Sequence, residues 1–181
     1  MSPFLRRRLI FTGVGCVLAA VLAVGLFGHL GSNASLNAGA TMPASLPALS
    51  GHGRVTLPKL GASRSQPVVI TFFASWCGPC ESEIPAVAKY ADEQAAKGAH
   101  IEFIGVDEID STGGKAFVKK SGVTFPVGSD ADGIVLQDLG AEAALPQTIF
   151  INTQGQIVHH VFGSVASGST LQTWVGKLTA G

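Results

Sequence analysis

The sequence is short of cysteine and short of charge. Three cysteines in 181 residues are too few for a disulfide-rich scaffold. Two of them, Cys77 and Cys80, form a single C-x-x-C, and Cys16 lies in an apolar N-terminal run. Charged residues make up 13% of the chain, 12 basic against 12 acidic, so the net charge is zero. That balance offers no basic face for a nucleic-acid partner. No internal repeat is evident. Histidines paired at ligand spacing are also missing. His52, His100, His159 and His160 show no such spacing to the cysteines, and adjacent residues on a strand point to opposite faces. Half of a zinc site is therefore a poorer reading of the C-x-x-C than redox chemistry.

What is plentiful is apolar sequence, and the excess is concentrated at the N-terminus. Arg6-Arg7-Arg8 precedes Leu9 to Leu30, a stretch without Asp, Glu, Lys or Arg. As a helix it would run about 33 Å, against roughly 30 Å of hydrocarbon in a bilayer. The arginines on one side predict a transmembrane signal-anchor with its N-terminus inside and the rest of the chain outside. Competing readings fit less well. Ala38-Gly39-Ala40 resembles a signal-peptide cleavage site, but the apolar run is too long and the site lies ten residues beyond it. Acylation at Cys16 lacks the large aliphatic residue wanted at Gly13, and the twin-arginine pattern is loose. The expected organisation is a cytoplasmic N-terminus over 1–8, an anchor over 9–30, a flexible tether over 31–50 and a folded domain over 51–181.

The domain alternates in type. Val68 to Ala74 reads as a buried strand. A helix over about 78–97 follows, with Ile84, Val87, Ala88, Ala91 and Ala95 at helical spacing, Pro85 inside it as a kink and Gly98 as its stop. His100 to Val106 reads as a second strand. Short helices are expected over about 111–121 and 130–140, with a brief extended piece at Thr124 to Val127. Gln147 to Asn152 and Gln156 to Phe162 form a hairpin. A last helix from about Ser167 carries Leu171, Trp174, Val175 and Leu178 on one face. The result is an α/β domain with a mixed central sheet and helices on both faces.

The C-x-x-C falls between the first strand and its helix. A helix N-terminus offers free N–H groups and partial positive charge, which stabilise a thiolate at Cys77. Cys80 lies one turn on, close enough to form a disulfide or to attack a mixed disulfide at Cys77. Trp76 supplies an apolar flank, and Pro79 lacks an N–H where none is needed. An inert disulfide staple is the other reading, and the strand–CxxC–helix context weighs against it.

Trp76-Cys77-Gly78-Pro79-Cys80, Pro85 in the next helix and Leu145-Pro146-Gln147-Thr148 before a strand resemble the thioredoxin fold. With the N-terminal anchor, Phe73-Ala74-Ser75-Trp76-Cys77 and Pro146-Gln147-Thr148-Ile149-Phe150-Ile151 resemble the TlpA/ResA/CcmG branch, the redoxins, over roughly Leu57 to Leu178. The resemblance implies a thiol–disulfide oxidoreductase with Cys77 attacking and Cys80 resolving, and with no cofactor or metal beyond the Cys77–Cys80 disulfide. It implies that Pro146 is a cis-proline facing the disulfide. Trp76, Gly78, Pro79, Leu145 and Pro146 would then form the substrate surface. Glu83 matches an acidic position of the branch, and its expected place is the solvated helix surface. Two positions depart from the pattern. Thr71 stands where thioredoxin has a buried aspartate, so proton transfer to Cys80 must differ. Gln147 stands where relatives have Thr or Glu, at the edge of the substrate groove. Asp130, Asp132, Asp138 and Glu142 are candidates for an acidic residue that the branch carries between the second helix and the hairpin.

Gly78-Pro79 resembles the strongly reducing thioredoxin pair, at about −270 mV against about −120 mV for DsbA. The expectation is a monomeric, outward-facing reductant of protein disulfides, for example in apocytochrome c or a copper-site protein during cytochrome c-type biogenesis. Its electrons would come from a membrane donor of the CcdA/DsbD class. Two other functions compete. A thiol peroxidase of the peroxiredoxin type would need an activating arginine, for which only Arg54 and Arg64 are nearby. A copper or other metal chaperone would favour C-x-x-x-C with a downstream histidine.

Overall fold

The computed structural model describes residues 40–110, 112–166 and 168–179. The expected span Leu9–Leu30, with Cys16, lies outside the described residues. Among those residues no helix is long and apolar enough to cross a membrane.

Among the described residues seven strands and four helices follow in the order β1 (Ser45–Pro47), β2 (Arg54–Thr56), β3 (Val68–Phe73), α1 (Cys80–Ala96), β4 (Glu102–Glu108), α2 (Gly114–Lys120), β5 (Val127–Asp130), α3 (Ile134–Asp138), β6 (Gln147–Ile151), β7 (Ile157–Phe162) and α4 (Gly168–Thr179). The main sheet has the order β5-β4-β3-β6-β7. β3, β4 and β5 run parallel, and β6 and β7 are antiparallel to their neighbours. This is the expected mixed sheet.

β3 is buried at all six positions because both of its faces are covered. Val68, Ile70 and Phe72 pack with Leu46, Val55 and Leu57 and with Val135, Leu136 and Leu139 around α3. On the other face Val69 packs with Val87 and Ala91 of α1 and with Leu171 and Val175 of α4. Phe73 meets Ile84, Phe117 of α2 and both cysteines. Each large side chain removed from water in this way contributes roughly 1.5–3 kcal/mol. Gly98 ends α1 with φ +71, as its position predicts.

Three expectations are corrected. The tether over 31–50 is too long at its C-terminal end, since β1 pairs with β2, and Leu46 and Leu49 are buried in the domain. The second strand extends to Glu108, two residues past Val106. The expected helix over 130–140 shrinks to Ile134–Asp138, because Asp130 belongs to β5 and its carboxylate accepts the Val135 N–H at 2.7 Å. Gly128 lets β5 lie against the β1–β2 hairpin, since a Cβ there would press on Leu46.

The topology brings three loops to one end of the sheet. The chain leaves β3 into Ala74–Cys77 and leaves parallel β4 into Ile109–Asp110. Antiparallel β6 begins at that end, with Gln147 opposite Phe72. This is where open α/β sheets place their sites.

Away from it, the β6–β7 turn is clamped to the segment before β3. Gly61 N–H donates to Gly155 C=O at 2.9 Å, and Arg64 N–H donates to Thr153 C=O at 2.8 Å. Gly155 has φ +74, and a Cβ there would lie 2.5 Å from Ala62 O. Gly155→Ala is therefore expected to lower the unfolding free energy by about 2 kcal/mol in urea titrations. Unchanged stability would contradict the clamp.

Candidate active site

The active-site loop begins where β3 ends. Cys77 N–H donates to Ala74 C=O at 3.2 Å, closing a turn. Helix α1 starts at Cys80 rather than at Gly78, with Pro79 as its N-cap and no side-chain cap. Cys77 thus precedes the first helical residue, and the Cys80 backbone N–H points at Cys77 Sγ from 3.3 Å. The two cysteines form a disulfide with Cα atoms 5.3 Å apart. Cys77 is 4% exposed and Cys80 is 0% exposed, so the first sulfur borders the surface and the second lies beneath it.

Two hydrogen bonds strap this loop to the end of β4. Ser75 N–H donates to Asp110 Oδ2 at 2.7 Å, and Trp76 Nε1–H donates to Ile109 C=O at 3.2 Å. Asp110 Oδ1 also accepts from Thr112 and Gly113 N–H. Partial burial opposes its ionisation, but the hydrogen bonds from Ser75, Gly113 and Thr112 outweigh it and hold its pKa below the ordinary value. Gly113 and Gly114 are required by closeness, since a Cβ at either would fall on Ser75 or on Asp107. Ile109 has φ +49, a left-handed conformation uncommon for a β-branched residue, and its side chain stands exposed.

The sequence-predicted site residues divide. Trp76, 60% exposed, and Leu145 share a cavity of about 260 Å³ with Ile109, Leu136, Ala143 and Glu108. Gly78 and Pro79 are exposed between the cysteines. The Leu145–Pro146 bond is cis, and Pro146 C=O accepts the Gly163 N–H at 2.9 Å. Leu145 packs against the cluster that contains both cysteines. Thr71 is buried with its hydroxyl 3.5 Å from that of Thr148. Among the described residues no cluster of His, Cys, Asp and Glu is arranged to hold a metal ion.

Glu83 overturns the expectation that it is solvated. It is 0% exposed. Its Oε2 accepts from Ser164 Oγ at 2.5 Å, Val165 N–H at 2.7 Å and Ala166 N–H at 3.1 Å, which ties α1 to the turn before α4. Its Oε1 has no partner of good geometry. Burial raises the pKa against these contacts and a weaker one from the Thr148 hydroxyl. The reason is its place on the helix. It lies three residues past Cys80 and four before Val87, within the buried stripe.

Two further acids were missed because the second strand was expected to end at Val106. Asp107 and Glu108 are both buried, without hydrogen-bond partners of good geometry. Burial first, then the Asp110 charge, pushes Asp107 up to about 7. Burial first, then Asp130, pushes Glu108 up to about 8. The acid at the cavity is thus Glu108 on β4. Of the four candidates further along, Asp130 is buried and caps α3, while Asp132, Asp138 and Glu142 are exposed. Charged residues closing an apolar strand at the ligand end of a sheet were the available signal.

A cysteine pair at a helix start, on a sheet whose strand β6 follows a cis-proline, defines a thiol–disulfide oxidoreductase of the thioredoxin fold. The family model for Redoxin matches residues 37–170, and the chain belongs to the Redoxin family. It is 30% identical over 161 residues to the thiol-disulfide oxidoreductase ResA of Bacillus subtilis, covering 88% of this chain and 87% of that one. Among solved structures it resembles MTB DsbF at 30% identity and TM-score 0.60, over 77% of this chain and 100% of that chain. StoA from Bacillus subtilis, at 21% identity, TM-score 0.55 and coverage of 72% and 99%, shares the fold.

Glu108 gives a pH test. Its ordinary pKa is 4.5 and its folded one about 8, so between those values the folded chain holds a proton that the unfolded chain does not. Its contribution to stability is present below about 4.5 and is lost as pH rises towards 8. Glu108→Gln removes that loss. In thermal melts the variant's advantage over the parent is expected to grow from pH 5 to pH 8. An equal difference at both values would contradict the assignment.

Proposed function

We propose that this thiol–disulfide oxidoreductase reduces disulfides of other proteins outside the cytoplasm, held to the membrane by Leu9–Leu30. The observation that carries the direction is the set of buried acids beside the pair. Strong oxidants stabilise the thiolate of their reduced form. Here Glu83 lies one turn below Cys80, and Glu108 lines the cavity that Trp76 borders. In their ionised form carboxylates so placed repel a thiolate, which withholds stabilisation from the reduced pair and favours a dithiol that donates electrons. Gly78-Pro79 supports the same direction.

In the proposed cycle the Cys77 thiolate, helped by the Cys80 N–H, attacks a substrate disulfide and forms a mixed disulfide. Cys80 then attacks Cys77 Sγ and releases the substrate thiol. Two electrons leave the pair, which becomes the Cys77–Cys80 disulfide; the two substrate sulfurs leave as thiolates and take their protons from solvent, one of them matching the proton that Cys77 had lost. Glu83 is the proposed acceptor of the Cys80 proton, in the role that Thr71 cannot fill. The apolar cavity at Trp76 and Leu145 receives the polypeptide beside the substrate disulfide. Apocytochrome c or a copper-site protein would suit such a reductant, with a CcdA/DsbD-type membrane donor to restore the dithiol.

A peroxidase reading finds no support in the arginines. Arg54 binds Ser45 in the β1–β2 hairpin. Arg64 pairs with Glu102, at the end of the sheet away from the cysteines.

Equilibration with glutathione buffers is expected to give a potential nearer the roughly −270 mV of thioredoxin than the roughly −120 mV of DsbA. A value near the latter would overturn the direction. Cys80→Ala is expected to accumulate mixed disulfides at Cys77 in membrane preparations, and none would form if the pair were an inert staple.

A further inference from the structure

Gln147 directly follows the cis-proline and is fully buried. Its Nε2 donates to Glu142 C=O at 2.6 Å and to Ala144 C=O, and its Oε1 contacts His160 Nε2 at 2.7 Å. A primary amide has two N–H donors and one carbonyl. Both donors here meet backbone carbonyls, which only accept. The orientation of the amide is therefore fixed, since the flipped form would set Oε1 against two carbonyl oxygens.

The same reasoning fixes the imidazole. Gln147 Oε1 only accepts, so His160 Nε2 carries the hydrogen and Nδ1 is left without a partner. Burial, then the neighbouring His159, holds the His160 pKa down to about 4, which keeps this neutral tautomer through the neutral range. The Phe162 ring covers it, with centroids 3.9 Å apart.

The carbonyls that Gln147 grips belong to alternate residues. Glu142 and Ala144 turn their C=O groups to the amide, while Ala141, Ala143 and Leu145 line the cavity shared with Trp76 and Ile109. One side chain thus sets the shape of that wall, and a residue on β7 sets the side chain.

We infer that Gln147 and His160 are positioning residues that fix the cavity wall at 141–145 and so give the cysteine pair its preference for polypeptide disulfides over small ones. This rests on the cavity's being the polypeptide-binding surface proposed above. Neither residue touches the reacting sulfurs in this account. Their loss should therefore act on the recognition of a chain and spare the exchange itself.

The test compares second-order rate constants of the reduced full-length protein with two disulfides. One is a synthetic decapeptide with an internal disulfide flanked by leucines, and the other is bis(2-hydroxyethyl) disulfide. Gln147→Glu keeps the shape but has no N–H donors. It is expected to slow the peptide reaction about tenfold and to leave the small disulfide within about twofold. His160→Leu removes the donor to Oε1 and is expected to act in the same direction. His160→Gln, whose amide can donate, is expected to restore the peptide rate. Peptide rates unchanged in Gln147→Glu and His160→Leu, or both disulfides slowed equally, would overturn the inference. Should Gln147→Glu fail to fold, His160→Leu, apolar in apolar surroundings, decides the matter with its His160→Gln rescue. Ala143→Trp, filling the cavity from an exposed position, separates the two readings. If it leaves the peptide rate unchanged, the cavity reading falls and takes the inference with it. If it slows the peptide while the Gln147 and His160 variants do not, only the inference falls.

Discussion

The site depends on one constraint, the burial of the first turn of α1 against the end of β3. Cys80 has no exposed surface, and Glu83 lies one turn deeper on the same stripe. The Cys80 N–H can reach Cys77 Sγ only because α1 begins at residue 80. Glu83 is dry only because Ser164, Val165 and Ala166 close over it. A carboxylate taken from water without a cation shifts towards its neutral form. Burial accordingly raises the Glu83 pKa above the ordinary value, against the hydrogen bonds that its Oε2 accepts. In the proposed cycle the carboxylate that thioredoxin carries on the strand is replaced by one on the helix, and Thr148 contacts both Glu83 and the strand residue Thr71.

The end of β4 serves the same turn from the other side. Asp110 and the Ile109 carbonyl hold Ser75 and Trp76, so the loop carrying Cys77 is fixed by groups from a parallel strand. Gly113 and Gly114 allow α2 to approach. Asp107 and Glu108 are left buried, and both favour protonation near neutral pH. The region therefore combines an exposed apolar lip, at Trp76 and Ile109, with two buried acids whose pKa values burial raises. The proposed exchange with a polypeptide would use both.

Much of this was legible in the residues. The run Val68–Ala74 and the stop at Gly98 located β3 and α1, and Trp76 to Cys80 located the chemistry. The cis bond at Pro146 followed from resemblance. The β1–β2 hairpin was not legible, because strands of three residues with one buried side chain each carry no period. Glu83 was visible in principle from its spacing to Cys80, Ile84 and Val87, but a glutamate in the first turn of a helix is ordinarily solvated, and its covering turn lies more than 80 residues away. Gln147 stood out only as a departure from relatives. Its partners are backbone carbonyls three and five residues upstream, of any side-chain identity, and His160 on β7, so no residue pattern announces them.

The central claim is that Glu83 serves Cys80 as the buried proton acceptor when the mixed disulfide resolves. The most direct measurement is the rate of that step against pH. A preformed mixed disulfide at Cys77 with a small thiol is followed in rapid mixing for the parent and for Glu83→Gln. The substitution is expected to slow resolution at least about tenfold at neutral pH. The rise in rate is expected to move up towards the ordinary thiol pKa of about 8.5. Coincident pH profiles for the two proteins would contradict it.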